Sequence, residues 1–339
     1  MTNEELIDLR MEQRPHVVIL GAGASRAAFP DGDGNGRQIP VMNDLVKLID
    51  LGELLQSTGL EWRNRNFEEV YANLRSDDAY QKVADAVEDK VRTYFAEMQL
   101  PGQACLYDHL LLSLRSKDVI ATFNWDPFLM DAYRRNVHVR ELPHMLFLHG
   151  CVRAGLCPVH RKTGWLGHSC TDCEEPLKPV PLLFPVKQKK YLDNGFIAAQ
   201  WHMLESYLQN AFILTIFGYA APASDEDAVS VMKSAWWKNR DRRIEQIELI
   251  NIAPREQLKE SWGAFFTRDH YEVGTDFYQS WCARHPRRSC EAIWDQNMEI
   301  HIRQDSAIPR NADFIELAQW FRPLFEAERA AKPPMAEKG

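Results

Sequence analysis

Two short couples of metal-binding side chains stand close together in the middle of the chain: Cys157-x2-His160 and, after a loop of nine residues, Cys170-x2-Cys173. Each couple can fill two corners of a tetrahedron, and the short loop lets both close on one ion, which is the pattern of a structural zinc site. Four protein ligands leave no open position for water, so the metal is expected to serve folding rather than catalysis. His168 and Cys151 are alternatives to His160 as the fourth ligand. A second group, Cys282-x2-His285-x4-Cys290, offers only three close donors, and Arg284, Arg287 and Arg288 beside it would repel a cation. It is read as core, with a small anion site at Arg287 and Arg288 as the lesser reading.

Other residues able to do chemistry lie where short apolar runs stop. The run 16–20 ends on Gly21-Ala22-Gly23-Ala24-Ser25, and 118–123 ends on Asn124-Trp125-Asp126. The run 145–148 ends on His149-Gly150, 212–217 on Gly218-Tyr219, and 247–252 near Asn251. In an open parallel sheet, ligands sit just beyond the carboxyl ends of the strands, so these residues are expected to converge on one crevice. The competing reading makes the glycines plain turn residues and Asn124 a cap for a helix beginning at Asp126. Gly21-x-Gly23-x-Ser25 begins like a dinucleotide loop, in which glycines let the backbone approach a pyrophosphate and amides donate to it. The third glycine of that fingerprint is missing, Arg26 standing there, and no acidic residue ends a second strand about twenty residues on, which argues against an ordinary dehydrogenase.

The elements that must position these residues follow from periodicity. The apolar runs above read as buried strands. Helical spacing separates most of them, at 126–135, at 189–209 with Ile197, Trp201, Leu204 and Leu208 on one stripe, and at 225–238. Alternation of this kind predicts an α/β, Rossmann-like parallel sheet with right-handed crossovers. From 41 to 115 the spacing is helical throughout, as in Val83, Val87, Val91 and Phe95, and reads as a helical insertion. Residues 151–181, rich in Cys, His, Gly and Pro, read as the zinc-binding insertion. The expected division is a nucleotide-binding domain over 15–255, a mostly helical extension over 256–326 and a frayed tail over 327–339. The tryptophans, including Trp236, Trp237 and Trp262, read as core or interface.

With 339 residues and 45% hydrophobic side chains, the chain can bury a large core. No stretch reaches the roughly 18 apolar residues of a membrane span, and the opening Met1-Thr2-Asn3-Glu4-Glu5 is acidic, so a cytoplasmic protein is expected. A net charge of −8 does not favour direct nucleic-acid binding. Seven cysteines, four of them within 23 residues, suit metal in a reducing compartment better than disulfides.

Taken together, these motifs resemble the sirtuin family, over roughly residues 15–255, and more closely its bacterial sirtuin-like branch known for NAD hydrolysis in antiphage defence. Gly21 to Ser25 looks like the first NAD loop, and Ile39-Pro40-Val41-Met42 resembles the short Ile-Pro segment after it. Thr122-Phe123-Asn124-Trp125-Asp126 is similar to the Thr-x-Asn-x-Asp motif whose Asn and Asp reach the nicotinamide ribose, and His149-Gly150 to the catalytic His-Gly that the zinc insertion follows. Gly218-Tyr219-Ala220-Ala221-Pro222, with Ser224 and Asp225, resembles the loop lining the adenosine half. Two departures stand out. Deacylating members carry Asp-Phe-Arg after Ile-Pro, where this chain has Val41-Met42-Asn43-Asp44, and their metal site is normally four cysteines, where this chain has His160.

The resemblance implies an NAD+ glycohydrolase that releases nicotinamide and ADP-ribose and depletes NAD+ in antiviral defence. Asn124 and His149 would be catalytic, His149 as general base and Asn124 orienting water or the ribose hydroxyls. Asp126 would hold the ribose and Gly21, Ala22, Gly23 and Ser25 the pyrophosphate, with Pro40, Gly218, Tyr219, Ser224, Asp225 and Asn251 completing the NAD+ site. It also implies a trigger or partner, such as a helicase-type ATPase or a short Argonaute, and a homo-oligomer. The alternatives are an NAD-dependent protein deacylase and a non-catalytic module that binds NAD or ADP-ribose.

Overall fold

The computed structural model describes residue 7 and residues 10–139, 141–185, 195–221, 225–240, 242–266, 270–299 and 301–331. Six parallel strands form the main sheet: β1 (His16–Leu20), β2 (Val119–Thr122), β3 (His144–Phe147), β7 (Ile213–Phe217), β8 (Gln246–Ile250) and β9 (Tyr271–Gly274). Their spatial order is β3-β2-β1-β7-β8-β9. Counted along the chain, that is the 3-2-1-4-5-6 order of a Rossmann sheet. The strands β1, β2, β7 and β8 are buried at every position. Helices cover both faces of such a sheet, so β1, β2 and β7 read as nearly continuous apolar runs, while β8 buries two polar residues, Gln246 and Glu248, with Glu248 bonded to Thr215 and the Trp281 amide.

The strand runs read from sequence fall within two residues of the observed ends. A sixth strand, absent from the sequence reading, carries the sheet past position 255. Tyr271–Gly274 is an edge strand of four partly exposed residues, too short and too polar to announce itself. Residues 45–113 hold the helices Leu45–Leu48, Gly52–Gln56, Phe67–Arg75, Gln81–Ala96 and Leu106–Ser113, with a 3-10 turn at Asp78–Tyr80. The buried stripe of Gln81–Ala96 is Ala84, Val87, Val91 and Phe95, one residue shifted at its start from the expected Val83. Helix Gly195–Asn210 buries Ile197, Trp201, Leu204 and Leu208. Positions 189–194 of the expected helix lie outside the described residues.

Within 151–181 the chain forms a small antiparallel sheet of β4 (Ala154–Leu156), β5 (Thr163–Trp165) and β6 (Lys178–Pro179), in the order β5-β4-β6. Toward the C-terminus, helix Phe314–Ala331 extends order into the first residues of the stretch expected to fray, and 332–339 lie outside the described residues.

Cys282, His285 and Cys290 are buried and form no metal-ligand group among the described residues. Arg287 is not an anion site either. Its guanidinium is buried and pairs with Glu328, and Nη1 donates to Leu112 O at 3.2 Å and Leu114 O at 2.8 Å. A buried charge satisfied in this way has no capacity left for a ligand, and it locks the C-terminal helix onto the end of helix Leu106–Ser113. Among the described residues, no helix is long and apolar enough to cross a membrane.

Candidate functional site

Strand register brings the expected residues together. Leu20 pairs with Thr122 and Phe217, Thr122 with Phe147, and Phe217 with Ile250. The last residues of five strands therefore form one row, and Gly21, Phe123, Leu148, Gly218 and Asn251 follow immediately along the same edge. The order also reverses between β1 and β7, the chain winding outward from β1 to β3 and then returning beside β1. A crevice forms at such a switch point. A cleft of about 330 Å³ lies there. It is lined by Gly21, Ala22, Gly23, Ser25, Pro40, Asn124, Asp126, His149, Gly218, Tyr219, Asp225 and Asn251, which are all the expected non-metal site residues except Ser224. Ser224 lies outside the described residues.

The glycines meet a different demand from the one expected. A Cβ at Gly21 would fall 2.6 Å from Gly218 O, and one at Gly23 2.8 Å from the same atom. Gly218 itself has φ +64°, and a Cβ there would lie 2.0 Å from Ala24 N. The two turns thus touch backbone to backbone, which only glycine permits. Gly21 N donates to Phe217 O at 2.9 Å, Gly23 N to Gly218 O at 2.9 Å and Ala24 N to Gly21 O at 2.9 Å. These three amides are spent inside the protein and are not donors to a pyrophosphate in this conformation. Arg26, where a third glycine was missing, donates through Nε to Ile39 O at 3.0 Å and through Nη2 to Asp44 at 2.6 Å, pinning the Ile39–Asp44 segment over the turn.

Below the cleft lies a saturated polar network. Ser25 Oγ donates to Asp126 Oδ2 at 2.6 Å, and Asn124 Nδ2 donates to Ser25 Oγ at 2.9 Å and to Gly21 O at 3.0 Å. The Tyr107 hydroxyl lies 2.7 Å from Ser25 Oγ. Ser25 is fully buried, so its hydroxyl serves this network and not a phosphate. Asn124 does not cap the following helix. That helix runs Phe128–Arg135, and it is Asp126 Oδ1 that accepts from Phe128 N at 3.3 Å. Both Asn124 amide protons are used, which leaves its carbonyl Oδ1 as the group it can offer a ligand. Burial pushes the Asp126 carboxyl up to about 6, the Ser25 hydroxyl opposing the rise. Burial likewise pushes the neighbouring Cys151 thiol up to about 12.

His149 follows β3 and sets its ring edge-on to Phe123, with centroids 4.8 Å apart. Phe123 stacks in turn on Tyr219 at 4.1 Å, and the Tyr219 hydroxyl donates to Asp225 Oδ2 at 2.9 Å. Sequence reasoning missed the apolar wall of the cleft: Val41, Met42, Leu45, Phe95, Trp125 and Leu183. It also missed Tyr107. The available signal was a tyrosine, an aspartate and a histidine inside an apolar helix, Leu106-Tyr107-Asp108-His109-Leu110, whose polar groups must find internal partners once it is buried.

The ligand atoms of Cys157, His160, Cys170 and Cys173 all lie within 4.8 Å of one another. His160 Nδ1 is 3.7 Å from the sulfurs of Cys157 and Cys170, and the Cys157 and Cys173 sulfurs are 3.8 Å apart. A tetrahedron with Zn–S of about 2.3 Å has sulfur–sulfur edges of about 3.8 Å, so the donor set fits zinc and is too open for a disulfide. The fourth ligand is therefore His160. Cys151 lies apart, its thiol donating to Asp126 O at 3.4 Å, and His168 faces the Trp165 ring. Both couples use the same turn. Arg161 and Glu174, each just after a second ligand, have φ of 54° and 61°, and their amides donate to Cys157 O and Cys170 O at 2.9 Å. Backbone amides of Asp172 and Cys173 pull the Cys170 thiol down to about 6, favouring the thiolate that a metal needs.

Among the described residues, Leu177 is the single large apolar side chain in the small buried cluster around these thiols, so a bound ion would supply most of the cohesion at that end of the module, while Val152, Ala154 and Val180 join the main core. The purified chain is expected to carry about one zinc. Cys170→Ala should release it and lower the melting temperature. The module joins the sheet edge through a neck in which Leu183 N donates to His149 O at 2.9 Å, so metal loss should also disturb His149. A metal-free preparation of unchanged stability, measured by elemental analysis and calorimetry, would count against this.

No protein-family model matches the chain, and none of the curated proteins matches it. Among solved structures, it is similar to a Sir2 homolog in complex with NAD. The two are 14% identical, the match covers 87% of this chain and 95% of the other, and the TM-score is 0.41. A Sir2 structure with bound acetylated peptide is also 14% identical, over 89% of this chain and 100% of that one, with a TM-score of 0.35. A third, from work on the mechanism and regulation of Sir2 enzymes, is 14% identical over 87% and 100%, with a TM-score of 0.39. The fold assignment rests on the strand order and register described above.

Proposed function

We propose that the chain is an NAD+ glycohydrolase that breaks the bond between nicotinamide and ribose. The observation that carries this reading is the convergence, in one row of strand ends, of an asparagine, an aspartate and a histidine with two interlocked glycine turns. Cleavage leaves the bonding electron pair on nicotinamide and develops oxocarbenium character at the anomeric carbon. The buried Asp126 carboxylate, ionised above about 6, places a negative charge near that carbon. Water attacks, its oxygen bonding to the anomeric carbon and its proton passing to His149. Asn124 Oδ1 accepts a hydrogen bond from that water or from a ribose hydroxyl. The turns at Gly21–Ser25 and Gly218–Tyr219 form the floor for the rest of the dinucleotide, with Pro40, Asp225 and Asn251 at its margins. Cys157, His160, Cys170 and Cys173 would hold zinc, which would supply fold stability and no chemistry.

The same proposal takes in NAD+ depletion as an antiphage response and restraint by a partner or trigger protein, a helicase-type ATPase or a short Argonaute, with the chain acting as a homo-oligomer. The apolar wall of Val41, Met42, Phe95, Trp125 and Leu183 favours a second reading, NAD-dependent removal of acyl groups from lysine. One experiment separates the two. The chain, alone and with its genomic neighbours, is expected to release nicotinamide from NAD+ without any peptide present. Nicotinamide release that depends on an acyl-lysine peptide, in equal amounts with deacylated product, would favour the second reading. Binding of NAD+ without turnover in any mixture would leave only the non-catalytic module.

A further inference from the structure

Tyr107 plays no part in the chemistry above, yet it closes the network beneath the cleft. It lies on helix Leu106–Ser113, fully buried, its ring parallel to Phe29 at 6.0 Å and tilted on Phe128 at 5.9 Å. That helix is held at both ends. Cys105 N donates to Asp108 Oδ2 at 2.7 Å, and Arg135, on the helix that follows Asp126, pairs with Asp108. At the other end Arg287 caps the carbonyls of Leu112 and Leu114.

Proton counting then gives the network a direction. A serine hydroxyl has one proton and two lone pairs. The Ser25 proton goes to Asp126, and one lone pair receives Asn124 Nδ2, so the remaining lone pair receives the Tyr107 proton. We propose that Tyr107 is a positioning residue. By donating to Ser25 it commits the Ser25 proton to Asp126, and so fixes both the Asp126 charge and the Asn124 face presented to the cleft. The proposal rests on the hydrolase reading for its kinetic consequence and on geometry alone for its effect on Asp126.

The groups around Asp126 define what should change. Burial raises its carboxyl, Asp131 adds to the rise, and Ser25 and the Phe128 amide oppose it. Asp131 is itself paired with Arg134 and Arg153, the Cys151 thiol meets the Asp126 backbone carbonyl, and His149 lines the same cleft. When Asp126 takes up a proton it donates to Ser25, whose own proton must then turn toward Tyr107. The chain reverses, and Tyr107 resists that reversal.

Tyr107→Phe keeps the ring and removes the donor. Titration of the Asp126 carboxyl by 13C NMR, assigned by its loss in Asp126→Asn, should show a midpoint higher by about 0.3 to 0.5 than in the parent, since one bond polarises the next by ~10–30%. In a Ser25→Ala background the same substitution should move the midpoint much less, because Tyr107 acts chiefly through Ser25 and its contact with the Asn124 side chain is secondary. The acidic limb of nicotinamide release should shift upward in step. An unmoved midpoint, an equal shift without Ser25, or a rate lowered equally at every pH would overturn the proposal. The NMR measurement needs no turnover, so a parent that releases no nicotinamide would refute the hydrolase reading and still leave the role of Tyr107 decided.

Discussion

His149→Ala is expected to lower nicotinamide release by about 10²- to 10⁴-fold, the usual range for removing a general base, while NAD+ binding survives. The imidazole stands at the end of β3, in the row of strand ends and on the wall of the cleft. Its ring is held by Phe123, which is itself fixed between Tyr219 and Trp201, at 4.1 and 5.9 Å. Removing the ring leaves the interlocked turns at Gly21 and Gly218 untouched, so the binding floor should persist. His16 shows what a purely structural histidine looks like in the same sheet. It lies at the opposite end of β1, with ring nitrogens 2.9 Å from Ser289 Oγ and 2.7 Å from Thr215 Oγ1, and burial pulls it down to about 4. NAD+ affinity by calorimetry, zinc content and nicotinamide release should be measured on the same preparation. Release at the parental rate would show that the convergence of strand ends is architectural and that no base operates at this position.

Much of this arrangement was legible because buried parallel strands leave a plain trace. His16–Leu20, Val119–Thr122 and Ile213–Phe217 are largely apolar runs, while Gln246–Ile250 carries Gln246 and Glu248 among its apolar residues, and in each the glycine or polar residue that follows closely marks the strand end. Parallel pairing then forces the breaks into one row. The zinc couples were legible for a similar reason, since both donors of a couple come from one turn. What escaped was set by contacts between distant segments. The glycines at 21 and 23 face Gly218, nearly two hundred residues away, and no local pattern distinguishes that need from close approach to a ligand. Arg26 looked like a defect in a fingerprint and is a clamp on Asp44. Tyr107 and β9 were hidden because a side-chain hydrogen bond to Ser25, or an edge pairing of four residues, leaves no periodicity behind.

Asn124→Asp should cost more than Asn124→Ala, although it alters fewer atoms. Both should lower nicotinamide release by about 10²-fold or more, because a misplaced water or ribose forfeits positioning even when the cofactor is bound. The aspartate adds a second penalty. Asn124 Nδ2 is the donor to Ser25 Oγ and to Gly21 O, and a carboxylate there would set an acceptor against both. It would also stand one hydroxyl away from Asp126, which is already held near 6 by burial. Two carboxylates sharing one buried hydroxyl cannot both ionise cheaply, so one must keep a proton well above its ordinary range. Once protonated, the introduced carboxyl could again donate to Ser25 and partly restore the network. The variant is therefore expected to be least active at alkaline pH and to recover relative to Asn124→Ala as pH falls, until Asp126 itself becomes protonated. Release measured from about pH 5 to 9 on both variants decides it. Equal losses at every pH would mean that no carboxylate pair forms through Ser25, and an Asn124→Asp variant as active as the parent would mean that the amide's donors are dispensable and that Asn124 acts through its carbonyl oxygen alone.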